Sequence, residues 1–250
     1  MGTEISKLFG LVGRDIDYSF SRSYFAEKFK TQNLEHCSYV NFDIQSISEL
    51  PSILKKHPNL VGFNVTIPYK QEIFPYLDEI DPVAKEIGAV NTVKLGEDGT
   101  LTGFNTDAYG FENSLKPLLV DHEKAIILGT GGASKAIEYV LRKLTIDYHF
   151  ISRNPKSPKE LGYNDLNEAF IKNTHLIINS TPLGTFPDID RCPNIPYEYL
   201  TSNHLLYDLI YNPSETTFMR KGRLKNTKTK NGLQMLELQA DRAWDIWQKQ

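Results

Sequence analysis

Residues Ala125-Ile126-Ile127-Leu128-Gly129-Thr130-Gly131-Gly132-Ala133-Ser134 carry the strongest structural signal in the chain. The first four form an uninterrupted apolar run, short enough for a strand buried on both faces. The glycines end that run, and a segment with helical spacing follows from about Ser134 to Leu144. A glycine-rich turn alone is equally well a plain βα turn, but a strand, a glycine turn and a helix in this order are the context of a dinucleotide site. Glycines permit the tight turn and the close approach of backbone to a pyrophosphate, whose charge is then met by N–H groups at the helix N-terminus. Gly129, Thr130, Gly131, Gly132 and Ala133 are therefore candidate cofactor ligands, with Ser134 standing where the common pattern has a third glycine or alanine.

The next apolar segment, Tyr148 to Ile151, reads as the neighbouring strand and ends at Ser152-Arg153-Asn154. An NAD site usually carries a carboxylate at this point to accept hydrogen bonds from the ribose 2′-hydroxyl. None is present. Arg153 instead offers a planar, permanently charged fork for a 2′-phosphate, and Ser152 and Asn154 add hydrogen-bonding groups. The pattern favours NADP over NAD.

Outward from this unit, short apolar segments alternate with helical ones along most of the chain. Leu8 to Val12, Ser38 to Phe42 and Leu60 to Val65 read as strands, with helices over Ser21 to Lys30 and Ile47 to Lys56. Further strands are predicted at Leu176 to Asn179 and Leu205 to Leu209. This alternation predicts an α/β fold with a largely parallel sheet. Two α/β units joined near Asn105 to Gly110 are expected to flank a cleft, with ligands beyond the carboxyl ends of the strands. The segment Gln234 to Gln250 places Met235, Leu236, Leu238, Ala243, Trp244 and Trp247 at mostly helical spacing and reads as a packed terminal helix. Arg220 to Lys230 is basic but lacks interleaved aromatic residues, which points to a solvated loop or helix end, not a nucleic-acid surface.

A chain of 250 residues, 40% hydrophobic and 24% charged, suits one large or two small globular domains. Its formal net charge of −3 provides no general attraction to nucleic acid or anionic membranes, which leaves a small molecule as the expected partner. Cys37 and Cys192 lie far apart and the histidines are scattered, so neither a disulfide framework nor a metal site is expected. No apolar run is long enough to span a bilayer and no secretory signal opens the chain, which predicts a cytoplasmic protein.

Polar strings close several candidate strands: Asn64-Val65-Thr66-Ile67-Pro68-Tyr69-Lys70, Gly88-Ala89-Val90-Asn91-Thr92 and Gly103-Phe104-Asn105-Thr106-Asp107. Taken singly, each can be turn and capping chemistry. Together they supply hydroxyls, amides, a cation and a carboxylate, the set that a polyhydroxylated acid needs for each of its hydroxyls to find a donor and an acceptor.

The strings Asn64-Val65-Thr66-x-Pro68-x-Lys70, Gly88-Ala89-Val90-Asn91-Thr92, Gly103-x-Asn105-Thr106-Asp107, Gly129-x-Gly131-Gly132-Ala133, Asn179-x-Thr181-Pro182-x-Gly184 and Gln239-Ala240 occur in this order. The set resembles the shikimate dehydrogenases over nearly the whole chain. That resemblance implies a substrate-binding and dimerisation-type domain over residues 1–106 with 233–250, the C-terminal helix returning to it, and a Rossmann-like NADP-binding domain over 107–232. It implies NADP-dependent, reversible reduction of 3-dehydroshikimate to shikimate, by a monomer or homodimer. Ser19, Ser21, Thr66, Lys70, Asn91, Asp107 and Gln239 would line the substrate pocket, with Ser19 and Ser21 on the carboxylate. Lys70 and Asp107 would be the catalytic pair, Tyr211 would lie near nicotinamide and substrate, and Thr181 would join the cofactor residues. A quinate/shikimate dehydrogenase of broader substrate and cofactor use, or a non-catalytic ligand-binding relative, are the alternatives. The chain departs from the family pattern at Tyr18 and Arg22, which stand where histidine and proline often flank the serines, and at Ser152-Arg153-Asn154, where Asn-Arg-Thr is usual.

Overall fold

The computed structural model describes residues 6–17 and 19–249; Tyr18 lies outside them. The described residues fall into two units, one ending at Thr106 and resuming at Gln239, the other running from Asp107 to Leu238.

In the first unit β1 (Lys7–Gly13) is buried at every position after Lys7, as a central strand covered on both faces must be. It leads through α1 (Phe20–Thr31) to β2 (Cys37–Asp43). The predicted helix over Ile47 to Lys56 is divided. A capping box of Ser46 and Glu49 starts a 3-10 turn, and α2 (Leu50–Lys56) begins only where Pro51 can sit in a first turn without losing a needed N–H. Then follow β3 (Leu60–Val65), β4 (Glu79–Ile80), α3 (Pro82–Ile87), β5 (Thr92–Leu95) and β6 (Leu101–Phe104). The sheet runs β2-β1-β3-β5-β6-β4. Its first three strands are parallel, as is the β4–β6 pair, and β5 is antiparallel to both of its neighbours. For the β5–β6 pair the reason is local. The turn between β5 and β6, closed by Gly96 N–H on the Thr100 carbonyl with Gly99 at φ +88°, is too short for a crossover helix.

The second unit opens within α4 (Thr106–Leu115) and continues through β7 (Lys124–Leu128), α5 (Gly132–Lys143), β8 (Asp147–Ser152), β9 (Glu160–Gly162), α6 (Glu168–Lys172), β10 (Leu176–Asn179), β11 (Leu205–Asp208), α7 (Thr217–Arg223) and β12 (Lys228–Lys230). All pairings in its sheet are parallel, in the order β12-β11-β10-β7-β8-β9. This is the doubly wound arrangement, and the winding reverses between β7 and β10, where such folds bind ligands. Ile126, Leu128, Ile151, Ile177, Leu206 and Phe218 fill the core. The basic stretch from Arg220 is the end of α7 and then β12, an edge strand on β11, so its lysines decorate and protect a sheet edge.

The last helix, α8 (Leu233–Gln248), contributes Ala240, Ala243, Ile246 and Trp247 to the core of the first unit, against Phe9, Phe25, Phe29 and Tyr39. Trp247 lies with its ring centroid 5.0 Å from that of Phe9 and donates its indole N–H to the Val93 carbonyl at 2.9 Å. It rests directly on Gly62, where any Cβ would collide with the indole. The apolar stripe of the C-terminus is thus a core seam. No helix of the described residues is long and apolar enough to cross a membrane, and among them no group of His, Cys, Asp and Glu is arranged to hold a metal.

Candidate active site

In the first unit the chain between β1 and α1 is pinned by β2. The Asp43 carboxylate accepts from the Asp15 and Ile16 N–H groups at 3.0 and 3.3 Å, and Asn41 Nδ2 donates to the Ile16 carbonyl at 2.9 Å. Ser19 follows this fixed segment at the N-cap position of α1, yet its hydroxyl makes no cap. Its Oγ is buried and has no hydrogen-bond partner among the described residues. An unpaired buried hydroxyl costs free energy that a polar ligand would recover.

Ser21 bonds to the Tyr39 hydroxyl, which in turn donates to Asn64 Oδ1 at 2.8 Å. Burial holds the Tyr39 phenol far above its ordinary range, so it stays a donor. Asn64 Nδ2 continues the chain to Thr92 Oγ1 at 3.0 Å. Beside it Asn91, 3% exposed, accepts from the Thr106 N–H at 2.7 Å and donates through Nδ2 to Gln239 Oε1 at 3.0 Å. With these oxygens committed, Asn91 and Gln239 have N–H donors left to offer a ligand oxygen. Ser21, Asn91 and Gln239 thus belong to one hydrogen-bonded set. Tyr39 and Asn64 are members that sequence reasoning left without a role.

Thr66 follows β3 and starts the turn to Lys70: its N–H reaches the Val12 carbonyl at 2.9 Å and its carbonyl accepts from Tyr69 N–H at 2.9 Å. The backbone, not the hydroxyl, closes this turn. Tyr69 anchors it from below, fully buried and donating to the Ile44 carbonyl at 2.7 Å, and the Lys70 carbonyl accepts from Val90 N–H at 2.8 Å. Lys70 therefore leaves a rigid turn.

In the second unit, Asp107 is buried in the first turn of α4, where the helix dipole favours a negative charge. Gly129 has φ +98°, and a Cβ there would lie 2.9 Å from Thr181 Cγ2, so this position requires glycine on both counts. Gly131 and Gly132 differ: a Cβ on either meets nothing within 4 Å. Gly131 is the N-cap of α5 and provides no side-chain cap, so no cap side chain occupies the first N–H groups of the helix. Ser134, in place of the third glycine, is 2% exposed and turns its hydroxyl onto the Gly131 carbonyl at 2.6 Å. The substitution tightens the helix start without obstructing it.

Gly129 N–H donates to the Ile151 carbonyl at 2.9 Å, which ties the glycine turn to the end of β8. There Ser152 Oγ accepts from Asn154 N–H at 3.2 Å, shaping a bend that leaves Arg153 and Asn154 exposed. An open helix N-terminus beside an exposed guanidinium fits a dinucleotide bearing an extra phosphate. On the other side of β7, Thr181 donates its hydroxyl inward to Asn179 Oδ1 at 2.7 Å and forms a wall beside Gly129. Asn179 and Asp208, at the ends of β10 and β11, hold each other at 3.0 Å. Tyr211 follows β11, half-buried, with its phenol pKa pushed up by burial. Gly129, Thr130, Gly131, Gly132, Ala133, Ser152, Arg153, Asn154, Thr181 and Tyr211 therefore lie at or beyond the carboxyl ends of one sheet's strands.

A family model described as the shikimate dehydrogenase substrate binding domain matches residues 11–93. The NADP(+)-dependent shikimate dehydrogenase of Methanococcus maripaludis is 39% identical over 259 residues, covering 97% of this chain and 91% of the relative. The crystal structure of shikimate dehydrogenase 1 from Peptoclostridium difficile is 38% identical, with a TM-score of 0.83 over 97% of this chain and 91% of that one. Shikimate 5-dehydrogenase from Thermus thermophilus, solved in complex with NADP(H) and shikimate, is 31% identical, with a TM-score of 0.84 over 97% of this chain and 93% of that one. With likeness of this extent in both sequence and fold, the chain belongs to the shikimate dehydrogenase family.

Proposed function

We propose that this chain catalyses the NADP-dependent, reversible reduction of 3-dehydroshikimate to shikimate, in the cytoplasm, as a step of chorismate and aromatic amino acid biosynthesis. One observation carries the reading: a relative 39% identical over 97% of this chain is an NADP(+)-dependent shikimate dehydrogenase, and this chain keeps Ser19, Ser21, Lys70, Asn91, Asp107 and Gln239 of the family pattern. The reading assigns substrate binding to residues 1–106 with 233–250 and NADP binding to 107–232.

Ser19 and Ser21 hold the substrate carboxylate, and the unpaired Ser19 hydroxyl supports that role. Thr66, Asn91, Gln239 and Tyr211 orient the ring by its hydroxyls. The uncapped start of α5, at Gly131 to Ala133, receives the pyrophosphate with Gly129 and Thr130 shaping the approach. Ser152, Arg153 and Asn154 take the 2′-phosphate, and Thr181 walls the glycine turn at Gly129. Bound there, NADP(H) would supply the hydride chemistry at the ring carbon. In reduction the Lys70 ammonium gives a proton to the oxygen of the former carbonyl, and the Asp107 carboxylate orients that ammonium; in oxidation Lys70 takes the proton back.

Replacing Lys70 by alanine tests the assignment. Acid/base catalysis contributes roughly a hundredfold to ten-thousandfold, so kcat should fall by that order while the KM for shikimate stays within a few-fold. A large rise in KM at unchanged kcat would show that Lys70 only binds.

A further inference from the structure

Asp208 closes β11, is completely buried, and has no part in the roles assigned above. Its oxygens are occupied by donors from separate segments. Oδ1 accepts from Asn179 Nδ2 at 3.0 Å and from Ile210 N–H at 3.1 Å, and Oδ2 accepts from the Thr216 hydroxyl at 2.6 Å. Asn179 passes the connection on, its Oδ1 accepting from the N–H and hydroxyl of Thr181 at 3.0 and 2.7 Å. Ile210 is gripped from both sides, since its carbonyl accepts from Gly232 N–H at 3.0 Å. A Cβ at Gly232 would run into the Leu209 carbonyl, so the segment before Tyr211 has no room to shift that way.

A buried carboxylate with no cation against it is an expensive way to hold a core together. Among the described residues no ion pair involves Asp208, and each of its partners is a donor on or beside a loop at the carboxyl end of the sheet. Burial raises its pKa to about 6, so at neutral pH it is the ionised, acceptor-only group that this set of donors requires.

We infer that Asp208 is a positioning residue for the cofactor site: through Asn179 it fixes the Thr181 turn, and through Ile210 it fixes the approach to Tyr211. The inference rests on the reading that Thr181 and Tyr211 serve the NADP side of the reaction. Its physical consequence lies at Gly129, where Thr181 Cγ2 already stands 2.9 Å from the position a Cβ would take. A Thr181 turn released from Asn179 is free to move into the space beside the glycine turn and narrow it.

Steady-state kinetics of the full chain, with NADP and shikimate varied separately, test this on Asp208→Ala, Asp208→Asn and Asn179→Ala. Asp208→Ala should raise the KM for NADP by about tenfold or more, the effect of losing charge-assisted hydrogen bonds, and lower kcat. The KM for shikimate should move much less. Asp208→Asn keeps a carbonyl oxygen for Asn179 Nδ2 and Ile210 N–H and should recover most of the NADP affinity. Asn179→Ala should also raise the KM for NADP, and by less in an Asp208→Ala background than alone, because both act along one path. Equal losses in both KM values, no recovery with Asp208→Asn, or fully additive effects would overturn the inference. If Asp208→Ala does not fold, Asn179→Ala and Asp208→Asn decide by the same criteria. Should the unmodified chain show no turnover, the functional reading fails, and titration of NADP against intrinsic fluorescence decides the positioning role: weaker binding in Asn179→Ala supports it and unchanged or absent binding overturns it.

Discussion

Gly131→Ala should separate cofactor binding from folding. The backbone at Gly131 has φ −79° and ψ −178°, which any residue adopts, and an added Cβ meets nothing within 4 Å. Alanine at such a site gains about 0.4–1 kcal/mol by restricting the unfolded chain. It loses a similar amount, roughly 0.5–1 kcal/mol, because alanine is a poorer N-cap than glycine. The net change in stability should therefore lie within about 1 kcal/mol. The methyl group, however, enters the open space before the first N–H groups of α5, where the pyrophosphate must approach. Weakening one or two hydrogen bonds to a charged acceptor, each about 1.5–3 kcal/mol, raises the Kd for NADP by roughly tenfold to several hundredfold. Gly129→Ala should behave in the opposite sense. Its φ of +98° and the 2.9 Å approach to Thr181 Cγ2 combine backbone strain with overpacking, together about 2–5 kcal/mol of stability. Urea unfolding and fluorescence titration with NADP on both variants separate the two quantities. Undiminished NADP binding by a stable Gly131→Ala protein would refute the placement of the pyrophosphate.

Arg153→Ala should weaken NADP by at least about tenfold and leave NAD nearly unaffected, since only the 2′-phosphate meets the guanidinium; equal weakening of both dinucleotides argues against that contact. Asp208 has its pKa raised from 3.8 to about 6 in the folded protein, so the native state keeps a proton that the unfolded chain has released. Its contribution to stability is fully present below the unfolded value and is lost as pH rises through the folded one, a total of about 3 kcal/mol. Roughly half of that develops between pH 5 and 7.5, so urea midpoints of Asp208→Asn should gain on those of the unmodified chain over this interval. Parallel pH profiles of the two proteins would contradict the raised value. Trp247→Ala removes an indole buried against Phe9 and its bond to Val93, and should cost about 3–5 kcal/mol in equilibrium unfolding; a loss below about 1.5 kcal/mol would mean that the seam of α8 is not part of the core.

Much of the architecture is legible in the chain because buried parallel strands are written as apolar runs with polar ends. Leu60–Val65 and Leu176–Asn179 coincide with their predicted bounds, and the predicted core strands nearby differ only at their edges. What is not legible is held by partners, not by its own pattern. The strands at Glu79–Ile80, Glu160–Gly162 and Lys228–Lys230 are too short for any periodicity to register, and each exists by pairing with a longer neighbour. The antiparallel pairing of β5 with β6 depends on a short glycine turn, which local spacing does not distinguish from a loop. The candidate site divides in the same way. Lys70, Asn91, Asp107 and the glycine turn announce themselves as polar or glycine residues at strand ends. Their supports do not: Tyr39 with Asn64, Asp43 with Asp15 and Asp208 with Asn179 are partners joined only by folding. Ser134 shows the converse case, a departure from the glycine pattern whose harmlessness depends on where its hydroxyl turns.

The central claim is tested most directly by initial rates of absorbance at the NADPH band with shikimate as substrate, comparing NADP with NAD and shikimate with quinate. The account predicts rapid reduction of NADP by shikimate, with NAD and quinate far slower. No turnover with any of these pairs would contradict it and leave a ligand-binding relative without chemistry, and equal use of NAD would contradict the role given to Arg153.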